Sequence, residues 1–391
     1  MKNLFLKKTN KQLQEQRTPF LKKGVMLLFS ILMSITGLQA HTPDTPVQTI
    51  KVALLLDTSN SMDGLINQAK TQLWEIVNEL SYAKASGERP DLKIALYEYG
   101  NDGIESNDGY IRQVLDFSSD LDEISEKLFS LSTNGGSEYC GQVIQKSLQE
   151  LHWKKGHKND LNIIFIAGNE RFTQGHISYK TASKNALKQE VIVNTIFCGN
   201  YENGVQGKWK EGALLAGGEY LTIDHNKTIV HLSTPYDVLI LRFNKQLNET
   251  YIGYGSEGVR KLRMQYVQDK NACSLDEVVE VKRAISKSSN LYKNSSWDLV
   301  DAQKEAHFSY EKLDKKTLPK ELLGKTTQEI KAYVALKSKE RQSIQQKIKD
   351  LDRKRRNYIR EKTKNSVEND LQTALIRCIK AQAKKQGYTF K

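Results

Sequence analysis

Twelve residues constrain this chain more than any others: Lys51-Val-Ala-Leu-Leu-Leu-Asp57-Thr-Ser59-Asn-Ser61-Met62. An apolar run bounded by polar residues fits a strand covered on both faces of a parallel sheet. This one stops abruptly in one carboxylate and two hydroxyls spaced two residues apart. In open parallel sheets, ligands bind in the crevice beyond the carboxyl ends of the strands. Asp57, Ser59 and Ser61 stand at that place, and all three offer oxygen. Hard divalent cations take oxygen ligands, and Mg²⁺ keeps several waters. The spacing reads as a metal-binding loop. A serine capping a helix that starts near Met62 is the alternative, and these residues alone leave it open.

Strands are expected at 51–57, 91–99, 110–117, 161–167, 191–198 and 219–224, most of them continuous apolar or β-branched runs. Between them Leu65, Ala69, Leu73, Ile76, Val77 and Leu80 recur at helical spacing. Leu121, Ile124 and Leu128 do the same, as do Val143, Ile144 and Leu148. The link 100–109 is too short and turn-rich for a crossover helix, so 91–99 and 110–117 should form an antiparallel hairpin. The expected fold is α/β: a doubly wound, mainly parallel six-stranded sheet with one antiparallel edge strand, then an α-helical C-terminal region. Thr234-Pro-Tyr-Asp237 reads as a helix start, with Thr234 as N-cap and Asp237 completing a capping box. The first domain is placed at 48–248.

A helical extension follows at 249–320, then a charged segment at 321–391. In the latter, Ile344, Ile348, Leu351 and Tyr358 follow part of a heptad seam. Extending it puts Lys337, Arg341 and Arg355 at core positions, which argues against a strong coiled coil. A charged helical hairpin is expected, with Val367, Leu371, Leu375 and Ile379 on the returning helix, or a partial coiled coil.

The first forty residues read as a signal peptide. Lys7, Lys8, Lys11, Arg17, Lys22 and Lys23 precede an apolar Gly24–Leu38 run, with cleavage between Ala40 and His41 and a linker at 41–47. The mature chain is expected to be exported, periplasmic or secreted, with no stable membrane span. An uncleaved anchor in the inner membrane is the alternative. Export permits disulfides. Cys140 and Cys198 fall at expected element ends on one edge of the sheet and are the candidate pair; four buried thiols are the other reading. Net charge is +13, but Lys and Arg are dispersed among Asp and Glu and no nucleic-acid-binding motif accompanies them. That favours a solvated helical surface over a polyanion site.

Asp57-x-Ser59-x-Ser61 resembles the first loop of the metal-ion-dependent adhesion site of the von Willebrand factor type A family. The resemblance implies a second loop at Thr133–Gly141, where Ser137 supplies the hydroxyl and Thr133 is a weaker candidate. The family's third loop usually carries Asp; here Gly168 stands at that position, and Asn169 or Glu170 are the candidates to reach the site. The run Ile166-Ala-Gly-Asn-Glu170-Arg-Phe-Thr-Gln-Gly175 is similar to a subgroup of secreted bacterial members with IAGNExFTQG in this loop. Asp224-His-Asn226, Thr234-Pro-Tyr-Asp237 and Asn294-Ser-Ser-Trp-Asp-Leu-Val300 extend that likeness over most of the mature chain.

No histidine lies in a nucleophile elbow, an HExxH motif or zinc-ligand spacing. His225 alone falls on the ligand-binding edge. The chain is therefore expected to be a binding protein and not an enzyme. The resemblance implies one Mg²⁺, Mn²⁺ or Ca²⁺ held by Asp57, Ser59, Ser61 and Ser137, with Asn169 and Glu170 as further contributors. A protein partner's Asp or Glu would complete the shell, with no nucleic acid involved. A metal-independent scaffold that self-associates through the C-terminal helices is the alternative reading.

Overall fold

The computed structural model of the chain describes residues 48–223, 232–363 and 371–390. The expected signal peptide and linker, Asp224–Asn226 with His225, and Val367 lie outside them. The apolar run becomes β1 (Thr49–Asp57), followed by α1 (Asp63–Ser81), a short β2 (Ala83–Ala85) and β3 (Asp91–Tyr99). Then come β4 (Ile111–Ser118), α2 (Leu121–Phe129), α3 (Cys140–Glu150), β5 (Leu161–Gly168), α4 (Tyr179–Lys188) and β6 (Val191–Cys198). Two short helices, α5 (Tyr201–Gln206) and α6 (Trp209–Leu215), lead to β7 (Tyr220–Ile223).

The sheet order is β4-β3-β1-β5-β6-β7, with only the β3–β4 pair antiparallel. This is the expected sheet, antiparallel edge included. β1 lies between β3 and β5, so its side chains are buried on both faces, which is why its sequence does not alternate. Leu54 and Leu56 face one apolar layer; Ala53 and Leu55 face the other. The second layer is closed by α3, α4 and α6, and the first by α1, α2 and the C-terminal helices.

Those helices are α7 (Asp237–Asn248), α8 (Gly258–Leu275), α9 (Glu277–Lys287), α10 (Leu299–Ala302), α11 (Thr327–Thr363) and α12 (Leu371–Lys385), before a terminal β8 (Tyr388–Phe390). Half of the expected capping box forms: Thr234 N–H and Oγ1 donate to the Asp237 carboxylate at 2.9 and 2.7 Å, while the Thr234 hydroxyl accepts from Tyr236 N–H at 3.3 Å and not from Asp237. The regular helix starts only at Asp237. Buried charges tie this region together. Arg283 pairs with Asp122 at 2.9 Å and Asp269 at 2.6 Å, and Lys287 with Asp269 at 2.9 Å.

At 37 residues, α11 is about 55 Å long. It packs along α7, α9 and α10, while α12 lies on α1 and β7. The two helices thus dock separately on the sheet domain instead of pairing along each other as a hairpin would. Arg341 and Arg355 do occupy the buried seam, beside Ile348. Each meets a carboxylate there: Arg341 bonds Asp298 at 2.6 Å and Arg355 bonds Asp237 at 2.9 Å. Lys337 stays half-buried and pairs with Glu340. Finally, β8 pairs antiparallel with β2, a two-stranded sheet whose three-residue strands are too short to announce themselves by periodicity.

Candidate metal centre

Asp57 ends β1 at the carboxyl edge of the sheet and is fully buried. Its Oδ1 accepts the Ser59 N–H at 2.8 Å, which turns the chain sharply out of the strand. The Asn169 N–H, one residue past β5, faces this carboxylate. Oδ2 is buried and has no partner. Burial pushes the Asp57 carboxyl above its ordinary range, against the pull of these bonds.

Ser59 Oγ lies 3.5 Å from Ser61 Oγ, and Asn169 Nδ2 donates to Ser61 Oγ at 2.9 Å. Asn169 Oδ1 is left buried without a partner. The structure therefore brings Asp57, Ser59, Ser61 and Asn169 together. The second loop is tied to the first by Asn134 N–H, which donates to Thr58 O at 2.9 Å. Gly136 packs against the Gly100 carbonyl so closely that no side chain fits between them. Ser137 is half-buried on this loop, and no hydrogen bond ties its hydroxyl to Asp57 or Ser59. Thr133 is turned away, donating to Asp63.

Glu170 is exposed. Its carboxylate accepts Gln174 Nε2 at 3.2 Å, and its backbone carbonyl accepts Trp209 Nε1 at 2.6 Å. It contributes negative charge to the site rather than a contact. The side chain that sequence reasoning passed over is Glu138, 3% exposed and next to Ser137. Its carboxyl faces Asp57 and the Ser59 hydroxyl within hydrogen-bonding range, and its Oε2 has no partner. Burial, then the Asp57 charge, push it up to about 9. The signal available in sequence was the pair Gly135-Gly136 ahead of it, which draws this loop in against Gly100.

The expected Cys140–Cys198 disulfide is absent: both are buried free thiols. Cys140 belongs to the apolar layer under α3 and Cys198 to the opposite layer, so the sheet separates them. Cys140 Sγ lies 3.9 Å from Tyr99 Oη, which itself donates to Ala167 O at 2.8 Å beneath the site.

Among the described residues no three His, Cys, Asp or Glu side chains gather as a metal site. The donors here are two carboxyls, two serine hydroxyls and an amide oxygen, the hard set that suits Mg²⁺, Mn²⁺ or Ca²⁺. Buried carboxylate oxygens without partners are costly unless a cation or proton compensates them. The residues present therefore fit a divalent ion.

A doubly wound α/β domain with an oxygen-lined cradle at the carboxyl edge of its central strand defines a class of ligand-binding domain. Residues 51–206 match the von Willebrand factor type A domain family, and the chain carries such a domain. No curated protein matches the chain. Among solved structures it is similar to BatB from Bacteroides thetaiotaomicron, 18% identical over 45% of this chain and 90% of that chain, TM-score 0.35. It is also similar to an aerotolerance-related membrane protein from Bacteroides fragilis, 17% identical over 45% and 92%, TM-score 0.32. A third is proximal thread matrix protein 1 of the mussel byssus, described with a zinc-occupied MIDAS motif: 12% identical over 46% and 43%, TM-score 0.32. At these identities and scores the three carry no argument about activity.

Proposed function

We propose that the chain is an exported, non-enzymatic binding protein whose A domain holds a divalent cation and uses it to dock a protein partner. The observation that carries the reading is the buried, unpartnered Asp57 Oδ2, at the start of the loop whose Ser59 and Ser61 hydroxyls lie 3.5 Å apart. Asp57, Ser59, Ser61 and Ser137 are the ligands named by the family resemblance, with Asn169 as a further oxygen. Glu170 would act through charge and the hydrogen bond of its loop. When bound, Mg²⁺ or a similar ion supplies a Lewis-acidic position that a partner's Asp or Glu can fill. The chain's part is to hold the loops rigid: Asn134 on Thr58, Ser59 on Asp57, Asn169 on Ser61.

Export rests on the basic start and the Gly24–Leu38 run. No helix among the described residues is long and apolar enough to cross a membrane. A second reading, a metal-independent scaffold, is favoured by the C-terminal segment: residues 325–391 carry 19 Lys and Arg against 7 Asp and Glu. Titrating Mg²⁺ calorimetrically into chelator-stripped protein separates them. The metal reading requires saturation near one equivalent, absent in Asp57→Ala, and partner capture that stops in EDTA. A scaffold captures its partner equally in either buffer.

A further inference from the structure

The geometry points to Glu138 as the second anionic ligand of the cation, transposed from the third loop, where the family usually has Asp, to the second. This rests on the metal reading above and says which residue supplies the charge that Gly168 cannot.

Two glycines make the exchange. A Cβ at Gly168 would stand 2.5 Å from Tyr99 Oη and 3.0 Å from Asp57 Oδ2, so a side chain there would have to displace Tyr99 or Asp57 itself. Tyr99 fills that volume and is anchored on Ala167 O. At Gly100, φ +75°, a Cβ would meet Glu138 Cγ at 2.8 Å and Asp57 Oδ1 at 2.9 Å. The missing side chain at 100 is what admits the Glu138 stem beside Asp57. What the third loop lost in reach, the second loop supplies.

Three features favour a ligand over a core carboxylate. Glu138 is 3% exposed and Asp57 fully buried, and each keeps one oxygen without a partner. The named charges acting on Glu138, from Asp57 and Glu170, are both negative. The Ser59 hydroxyl faces both carboxyls, which puts a family ligand beside them. A divalent ion at this point would neutralise two buried carboxylates. Affinity for hard cations rises with the number of charged ligands.

The test is Mn²⁺ alone, titrated calorimetrically into the metal-stripped full chain. Wild type, Glu138→Gln, Glu170→Gln and Asp57→Asn are compared, with thermal midpoints recorded before and after the metal. Expected are binding near one equivalent in wild type, loss of more than about tenfold in affinity in Glu138→Gln, and a smaller loss in Glu170→Gln, which acts through charge alone. Without metal, Glu138→Gln should melt at or above wild type, because it replaces a buried group whose ionisation the site opposes with a neutral one of the same shape. A merely structural carboxylate would lower it. Wild-type affinity in Glu138→Gln overturns the assignment and leaves the metal reading standing. A folded wild type that takes up no Mn²⁺ sinks the metal reading itself. Should Glu138→Gln not fold, Glu138→Asp keeps the charge but draws it back by one methylene, and unchanged affinity there counts against the assignment.

Discussion

Arg355 Nε donates to Asp237 Oδ1 at 2.9 Å, joining the long helix α11 to the first residue of α7. Two heptads earlier Arg341 bonds Asp298 through both terminal nitrogens, at 2.6 and 3.1 Å, and lies 4.0 Å over the Tyr251 ring. Both arginines are buried. The two carboxylates come from Thr234-Pro-Tyr-Asp237 and Asn294-Ser-Ser-Trp-Asp-Leu-Val300, stretches distant in sequence. Their shared role is to receive one helix.

Removing one member of such a pair leaves a buried charge uncompensated. Arg341→Ala is expected to cost about 3–5 kcal/mol. Asp298→Ala should cost a similar amount, and the double replacement less than the sum of the two. Chemical denaturation of the four proteins measures this; additive losses would show that the two side chains are not a unit.

A divalent cation that binds only the folded state stabilises it by mass action. At a hundredfold excess over the dissociation constant, Mg²⁺ should add about 2.7 kcal/mol. The gain should vanish in Asp57→Asn and reverse on adding EDTA. A thermal melt with and without metal is sufficient to see it.

The metal-free protein should lose stability as pH rises. Glu138 titrates near 9 when folded, pushed up by burial and by Asp57, against about 4.3 in an unfolded chain. A raised carboxyl contributes stability fully below the unfolded value, and this is lost progressively towards the folded one. In EDTA the midpoint should therefore fall between about pH 4.3 and 9, with a smaller fall in Glu138→Gln. Cation affinity should rise over the same range, with proton release visible as buffer-dependent heats of binding.

Restoring the family's usual residue should not restore its chemistry. Gly168→Asp forces a Cβ against Tyr99 Oη and Asp57 Oδ2 and is expected to destabilise by about 1–3 kcal/mol. It should not recover metal binding in a Glu138→Gln background. Combining it with Tyr99→Phe should relieve part of the loss, because the contact at 2.5 Å is with the hydroxyl.

Thiol chemistry should follow burial. Cys273 is exposed, whereas Cys140, Cys198 and Cys378 are buried. Iodoacetamide should label Cys273 alone in the native protein and all four on unfolding without reductant. Protection of Cys140 and Cys198 in the unfolded, unreduced chain would mean that they do pair.

The sheet was legible because its strands are unbroken apolar runs, and the turn-rich 100–109 link announced the antiparallel edge. The Asp57, Ser59 and Ser61 cradle was legible as a cluster of oxygens, because Asp57 ends an otherwise apolar β1 at the edge of the sheet. Glu138 was not, since a glutamate after Gly-Gly-Ser reads as a loop residue and nothing local tells that its carboxyl is buried against Asp57. Arg341 and Arg355 were placed correctly on the seam, but their meaning depended on carboxylates 43 and 118 residues away. Cys140 and Cys198 share an edge of the sheet but not a face, a distinction that strand ends alone do not encode.

The spacing of the two arginines also carries information. Fourteen residues of helix put Arg341 and Arg355 about 21 Å apart on one line, and the groove answers with Asp298 and Asp237. A leucine seam would accept many amphipathic helices, because apolar contact is indifferent to sequence. A foreign helix laid here would strand two buried acids, and α11 laid in a foreign groove would strand two buried bases. The seam therefore works as an address: it matters less for how tightly the helix is held than for which helix is admitted.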